Sequence, residues 1–408
     1  MNSRCLSYLR LFMRIKWMIF IGLIVQVSIL NALNVKTLGK SVLLMNAENG
    51  KVLFYKKGYE PNYPASITKI ALALYLLETA PETLNTRCVA TQAALEPIDP
   101  KVKHSSQYIH PAHLLETDGS HFSIQENEVL PMLTLFYGLM LESGNDAANV
   151  IALHLDKDMP SFINRLNTYI RDIGCLQTHF CNPHGLHHPK HVTSAYDMAL
   201  IMKRAMQFEL FNQVIRSSGS VRPATPYQPS RPIVQHNGMV NPNSRHYYPY
   251  CLGGKTGYHS RAKQTFVCAS QKNDRKLIAV VMGCENSADK YKDAEALFEA
   301  AFQEKKQTRQ VMKKEQLFIR KLAQANKPIC AMMNEDLNFS YYPSEKPVIR
   351  AFLQWEVDKL PLKKGDIVGY VKVLDEQQTE LVKQPIFVQE DIHMQWHYKI
   401  LHFFKNWF

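Results

Sequence analysis

Residues 251–257 (CLGGKTG), 262–271 (AKQTFVCASQ) and 275–283 (RKLIAVVMG) read as three successive strands of one antiparallel sheet. The stretch KYKDAEALFEAAFQEKK, 290–306, follows as a helix and closes this region. Upstream, SVLLMNA (41–47) and KVLFYK (51–56) flank ENG, which predicts a β-hairpin turning at Asn49-Gly50. ITKIALALYLLETA, from Ile67, has helical length and apolar periodicity, with Ser66 at its N-terminal edge. Residues 84–125 are loop-rich and carry four histidines without a period. NEVLPMLTLFYGLMLES, from Asn127, and then NDAANVIALHL read as two consecutive helices, and LIMKRAM belongs to another that begins near Ser194. Residues 217–250, rich in Pro, Ser, Asn and Tyr, read mostly as loop.

The composition shifts after this. Between 310 and 389 the pattern is short strands with turns: KPICAMM, NFSYYP, VIRAFLQWEV, IVGYVKVL and PIFVQ. The expected fold class is α/β (α+β), a central antiparallel sheet flanked by helices over 35–303, followed by a small all-β domain over 304–389. Residues 304–314 are expected to form a basic helical linker between them. No internal repeat is present.

The chain has 408 residues, enough for two or three domains. Hydrophobic residues make up 46% and charged residues 21%, which argues against a disordered or collagen-like chain. The net charge of +12 favours anionic surroundings without choosing among phospholipid, acidic polymer and nucleic acid. The N-terminus narrows that choice. Arg4, Arg10, Arg14 and Lys16, with no acid among them, precede WMIFIGLIVQVSIL (17–30), the form of a secretory signal over residues 1–32. Leu30 fits the minus-three position of a cleavage after Ala32 poorly, which leaves an uncleaved anchor as the alternative. Export speaks against nucleic acid as a partner, and no stripe of interleaved Arg and aromatics is present.

The last segment, EDIHMQWHYKILHFFKNWF (390–408), places Trp396, Ile400, Phe403, Phe404, Trp407 and Phe408 on one helical face. Lys399, His402 and Asn406 lie toward the other. This pattern suits a helix lying in a membrane interface, with a helix packed on the β domain as the alternative. Of the eight cysteines, Cys5 precedes the apolar run, and removal of the signal would leave seven, an odd number. No CxxC is present. Cys175 and Cys181 are close enough in sequence to pair, and equally suited to burial as small hydrophobes.

Three short strings can carry chemistry. In Ser66-Ile67-Thr68-Lys69, positions i and i+3 share a helix face, so the lysine amine can reach the serine hydroxyl. Serine needs a base to become a good nucleophile, and lysine serves only with its pKa lowered by desolvation or a second cation. Ser143-Gly144-Asn145 sits in the break between two helices, where it also fits an N-cap. Lys255-Thr256-Gly257 lies on a strand behind Gly253-Gly254, where a ligand backbone can approach. Each string alone also fits a solvated helix start, a cap or an edge strand.

Together, in this order and on these elements, they resemble the SxxK, SxN and KTG set of penicillin-binding proteins and serine β-lactamases. PASITKI, LESGNDAANVIA, THFCNPHGLHHP, TSAYDMALIMKRAM and GGKTGY further resemble low-molecular-mass D-alanyl-D-alanine carboxypeptidases. The resemblance runs from about residue 41 to 301 and continues more loosely through LPLKKGDIVGYVKV into the aromatic tail. It implies a transpeptidase-like fold and a peptidoglycan stem pentapeptide as substrate, with β-lactams as inhibitors and no cofactor. By the same resemblance, Ser66 is the nucleophile, Lys69 its base and Ser143 a proton relay. Asn145 would hold the substrate amide, and Lys255 and Thr256 the terminal carboxylate. The backbone N–H groups of Ser66 and of Tyr258, which follows Gly257, would meet the oxyanion. It also implies the periplasmic face of the bacterial cytoplasmic membrane, with the tail helix as peripheral anchor.

His184, His187, His188 and His191 could suggest a metal site, but NPHGLH belongs to the family pattern and a structural loop is expected. One departure is Glu285, which stands where many relatives carry a basic residue near the substrate carboxylate; Arg261 or Lys263 could replace it. Residues 88–125 also look longer than usual. A DD-endopeptidase, a β-lactamase and a catalytically idle wall-binding scaffold are the rival readings. The β domain and tail, and the lack of an evident deacylation Glu loop, speak against a β-lactamase.

Overall fold

The structure is a computed structural model that describes residues 33–357, 359–396 and 398. The expected signal, 1–32, and most of the tail helix, 390–408, lie outside the described residues.

Strands β1 (Ser41–Asn46) and β2 (Val52–Lys56) form the expected hairpin, with Gly50 at φ +77° in its turn. The three strands of the KTG region are β3 (Cys251–His259), β4 (Lys263–Lys272) and β5 (Arg275–Cys284). All five join one antiparallel sheet in the order β2-β1-β5-β4-β3. Successive side chains of a strand point to opposite faces, and here both faces are covered. Leu43, Met45, Val267, Ala269, Ile278, Val280 and Met282 enter one core. Their neighbours Val42, Leu44, Phe266, Cys268, Leu277, Ala279 and Val281 enter a second.

The first core is roofed by α1 (Lys69–Thr79), α2 (Met132–Leu141), α3 (Asn145–Leu155), α4 (Met159–Asp172), α5 (Ala195–Ala205) and α6 (Glu209–Arg216). Helix α7 (Ser287–Phe302) covers the other face. Helix α2 starts at Met132, later than expected from Asn127. Val129–Pro131 instead pairs with Arg87–Val89, and Pro131 ends that strand where a ring with fixed φ can open a helix. Helices α4 and α6 and the hairpin Gly219–Arg222/Arg231–Val234 are additional to the elements expected from the sequence. Helix α4 has its own start signal, Asp158 accepting from Ser161 N at 2.8 Å, and buries Phe162, Leu166 and Ile170 at helical spacing.

The helical linker expected at 304–314 is corrected. Helix α7 ends at Phe302, and Gln307–Met312 is a strand, β6, paired antiparallel with β9 (Leu337–Tyr341). The partner strand supplies the backbone bonds a lone helical turn would lack, and Thr308 and Ser340 hydroxyls meet across it at 2.9 Å. A second sheet follows, in the order β7-β8-β12-β11-β10, from β7 (Phe318–Arg320), β8 (Ile329–Met332), β10 (Arg350–Trp355), β11 (Ile367–Leu374) and β12 (Glu380–Val388). Ile329, Ala331, Val368, Val371, Val373, Ile386 and Val388 form its core. Buried Arg275, at the start of β5, bridges the two regions: it pairs with Glu304 at 3.0 Å and Glu345 at 2.6 Å and lies over the Tyr342 ring.

Candidate active site

Ser66 sits in a 3₁₀ turn, Ala65–Thr68, that runs directly into α1. Ala65 has φ +53°, a left-handed conformation that a non-glycine residue holds only where its surroundings enforce it. The restraint is visible. His191 accepts Cys181 N–H at Nδ1, 3.0 Å, so its Nε2 proton goes to Thr68 Oγ1 at 2.9 Å. The Thr68 hydroxyl in turn donates to Ala65 O at 2.8 Å.

Lys69 is fully buried and its Nζ has three neighbours: Ser66 Oγ at 3.0 Å, Asn145 Oδ1 at 2.7 Å and His184 O at 2.7 Å. Burial first, and then the charge of Lys255, hold this amine well below the usual lysine range, against the pull of Asp146. A neutral amine has two protons and one lone pair. The two 2.7 Å acceptors take the protons, which leaves the lone pair for the Ser66 hydroxyl. The lysine is thereby set to receive a proton from the serine.

The loop supplying the His184 carbonyl is built for close approach. Gly185 has φ +94°, and a Cβ there would lie 2.0 Å from Ala65 O. Asn182 Oδ1 accepts Gly185 N–H at 2.7 Å. His184 uses both ring nitrogens internally, Nδ1 for Leu186 N–H at 3.1 Å and Nε2 toward His113 O at 3.1 Å. Among the described residues no group of three His, Cys, Asp or Glu side chains is placed to hold a metal ion.

The second string lies between α2 and α3. Ser143 is buried, with φ +64°. Glu142 before it takes two bonds from Arg231, at 2.8 and 2.9 Å, and Val234 N–H. Asp146 after it accepts Phe122 N–H at 2.7 Å, Ile124 N–H at 3.0 Å and Ala147 N–H at 2.9 Å. These two carboxylates pin the strained turn from both sides, a role the sequence alone did not reveal. Asn145 joins Lys69 directly, whereas Ser143 Oγ is not hydrogen-bonded to either lysine.

The third string is on β3, the edge strand. A Cβ on Gly257 would lie 2.8 Å from Ser66 N, so only glycine lets this strand meet the nucleophile's turn. Lys255 is buried and donates to Thr256 O at 2.9 Å; burial, then the charge of Lys290, bring it to about 7. Tyr258, the next residue of the strand, is exposed. Glu285 pairs with Lys263 at 3.0 Å, and Arg261 gives an N–H to His104 Nε2 at 3.2 Å.

A family model described as D-alanyl-D-alanine carboxypeptidase matches residues 30–286 of this chain. The chain belongs to the D-alanyl-D-alanine carboxypeptidase family. That makes it a serine-type carboxypeptidase, a hydrolase. It is 25% identical over 366 residues to the D-alanyl-D-alanine carboxypeptidase DacF of Bacillus subtilis, covering 86% of this chain and 85% of that one. Its fold is similar to that of a carboxypeptidase DacD from Francisella tularensis, with a TM-score of 0.60 at 17% identity over 90% of this chain and 96% of that one. Penicillin binding protein 5 from Haemophilus influenzae gives a TM-score of 0.59 at 20% identity, over 88% and 98%. The expected mixed fold with a central antiparallel sheet is thus the fold of this family.

Proposed function

We propose that this chain removes the terminal D-alanine of peptidoglycan pentapeptides through an acyl-enzyme on Ser66, and so limits cross-linking. One observation carries the reading: a buried lysine of lowered basicity aims at a serine hydroxyl beside an edge strand with a second buried lysine. Lys69 takes the Ser66 proton as Oγ attacks the carbonyl between the two D-alanines. The N–H groups of Ser66 and Tyr258 receive the oxyanion; in such sites one donor is worth about 2.7–4 kcal/mol. Lys255 and Thr256 hold the free carboxylate, which restricts the reaction to peptide ends, and Asn145 holds the substrate amide while fixing Lys69. The leaving amine receives its proton through Ser143. Water then hydrolyses the ester to give a tetrapeptide, and β-lactams acylate the same serine.

The test is D-alanine release from a soluble peptide ending in D-Ala-D-Ala, with Ser66→Ala beside the native protein. Release that disappears in the mutant is the expected result; release that persists removes Ser66 from the reaction.

The protein acts on the periplasmic face of the cytoplasmic membrane, a placement supported by the basic-apolar start and the aromatic tail of the sequence. No helix among the described residues is long and apolar enough to cross a membrane. Deleting residues 396–408 should release the signal-processed protein from membrane fractions with its activity on soluble peptide intact. Continued membrane association would assign the anchor to the N-terminal segment instead.

A further inference from the structure

Beside the nucleophile stands a wall of rings to which the proposed reaction assigns no task. Tyr63 lies three residues before Ser66, His187 two residues past Gly185, and His259 two residues past Gly257. Tyr63 and His187 meet edge-on with centroids 4.6 Å apart, and His187 and His259 lie 5.2 Å apart. Tyr108, from the long segment 88–125, closes over His187 at 5.2 Å. Gln107 and Tyr108 both hold positive φ, +52° and +62°, a costly pair of consecutive conformations for residues other than glycine.

The segment is tied down firmly enough to keep them there. Asn182 Nδ2 donates to Ala112 O at 3.2 Å, and Asn149 Nδ2 to His113 O at 2.9 Å. Buried Lys103 pairs with Glu116 at 3.0 Å. Asn149 belongs to α3, the helix opened by Asn145, and Asn182 to the loop whose carbonyl holds Lys69. The wall is therefore anchored to the elements that position the reacting groups.

Its charge is one-sided. Exposed Arg261, two residues past His259, lies near enough for its charge to act on both Tyr108 and His187, and Lys190 stands near His188. The carboxylates nearby are taken by lysines: Glu116 by Lys103 at 3.0 Å, and Glu285, which lines a cavity together with Tyr63 and Arg261, by Lys263 at 3.0 Å. Burial keeps the His187 and His259 rings neutral near pH 7, with pKa values of about 4 and about 3. The lining is uncharged and aromatic, and the rim is cationic.

The direction of the substrate follows from the carboxypeptidase reading, on which this inference rests. A peptide with its terminal carboxylate at Lys255 and its scissile carbonyl between Ser66 N and Tyr258 N continues along the edge of β3 toward His259. At roughly 3.3 Å per residue, the residue before the two D-alanines comes level with the wall. We propose that Tyr63, Tyr108, His187 and His259, with Arg261 at their rim, form a specificity subsite for that residue. It favours an aliphatic side chain ending in a carboxylate over one ending in an ammonium.

The experiment compares two peptides, acetyl-X-D-Ala-D-Ala, with X either L-α-aminoadipate or L-lysine, side chains of similar reach and opposite charge. The full chain should release D-alanine from the first with kcat/KM about tenfold higher, the size of one charge-assisted contact at an open rim. Arg261→Gln, an exposed change that spares the fold, should bring the ratio close to one. Tyr108→Ala should raise KM for both peptides more than it lowers kcat. Equal kcat/KM for the two peptides in the native protein, or a ratio untouched by Arg261→Gln, overturns the subsite and leaves the carboxypeptidase reading standing. Failure to release D-alanine from either peptide, with Ser66 also unlabelled by penicillin, overturns that reading and the subsite with it.

Discussion

Replacing Lys69 by alanine should slow both penicillin acylation of Ser66 and D-alanine release by about 10²–10⁴-fold, the range that a positioned general base contributes. Among the described residues no other amine is hydrogen-bonded to Ser66 Oγ, and Asn145 and the His184 carbonyl hold the Lys69 amine in that place. Lys69→Arg separates the two roles the side chain could play. A guanidinium keeps the charge and the donors but stays protonated, so it cannot accept the serine proton. Both variants should therefore fail, with acylation followed by labelled penicillin and folding by thermal melting. Normal labelling of the alanine variant would remove Lys69 from the mechanism.

The same electrostatics fix the sign of the pH dependence. Lys69 must be neutral to act, so kcat/KM falls as pH drops through its lowered pKa. Lys255 must be charged to hold a carboxylate, so binding weakens as pH rises through about 7 in the free enzyme. A bound carboxylate stabilises the ammonium and moves that limb upward, so the loss on the alkaline side belongs to kcat/KM more than to kcat.

The parts of this site legible in the sequence are those made by local spacing. Ser66 and Lys69 are one helical turn apart, and the KTG strand announces itself by its glycines, Gly253, Gly254 and Gly257, around Lys255-Thr256. The supports were not legible. Arg231 reaches Glu142 across 89 residues, and Asp146 reaches back to Phe122 and Ile124, contacts that no local pattern specifies. The third partner of Lys69 is a main-chain carbonyl, which any residue could supply; only the glycine that follows it hints at the close approach. Gln307–Met312 is a strand and not the helical linker its sequence suggests, for the same reason. Its identity comes from the partner strand Leu337–Tyr341, some 30 residues on, and not from its own charge pattern.

Removal of one such support predicts the largest loss of stability. Arg222 and Glu128 have no exposed side-chain surface, and the guanidinium reaches both carboxylate oxygens at 2.7 Å. Arg222→Met keeps the apolar stem and strands the carboxylate, which should cost about 3–5 kcal/mol in urea unfolding. Replacing both partners, Arg222→Met with Glu128→Leu, should recover most of that, because no buried charge is left alone. The pair also bears on the site. Arg222 and Arg231 lie over the Phe122 ring at 5.0 and 4.9 Å, and a Cβ on Gly144 would lie 2.8 Å from Phe122 Cβ. Loosening Arg222 therefore loosens Phe122 against the turn that carries Ser143 and Asn145, and kcat should fall with stability in the single variant. If the single variant stays within about 1 kcal/mol of the native protein, Thr225, Gln228 and Gln125 N–H suffice to satisfy Glu128, and the guanidinium is not its main partner.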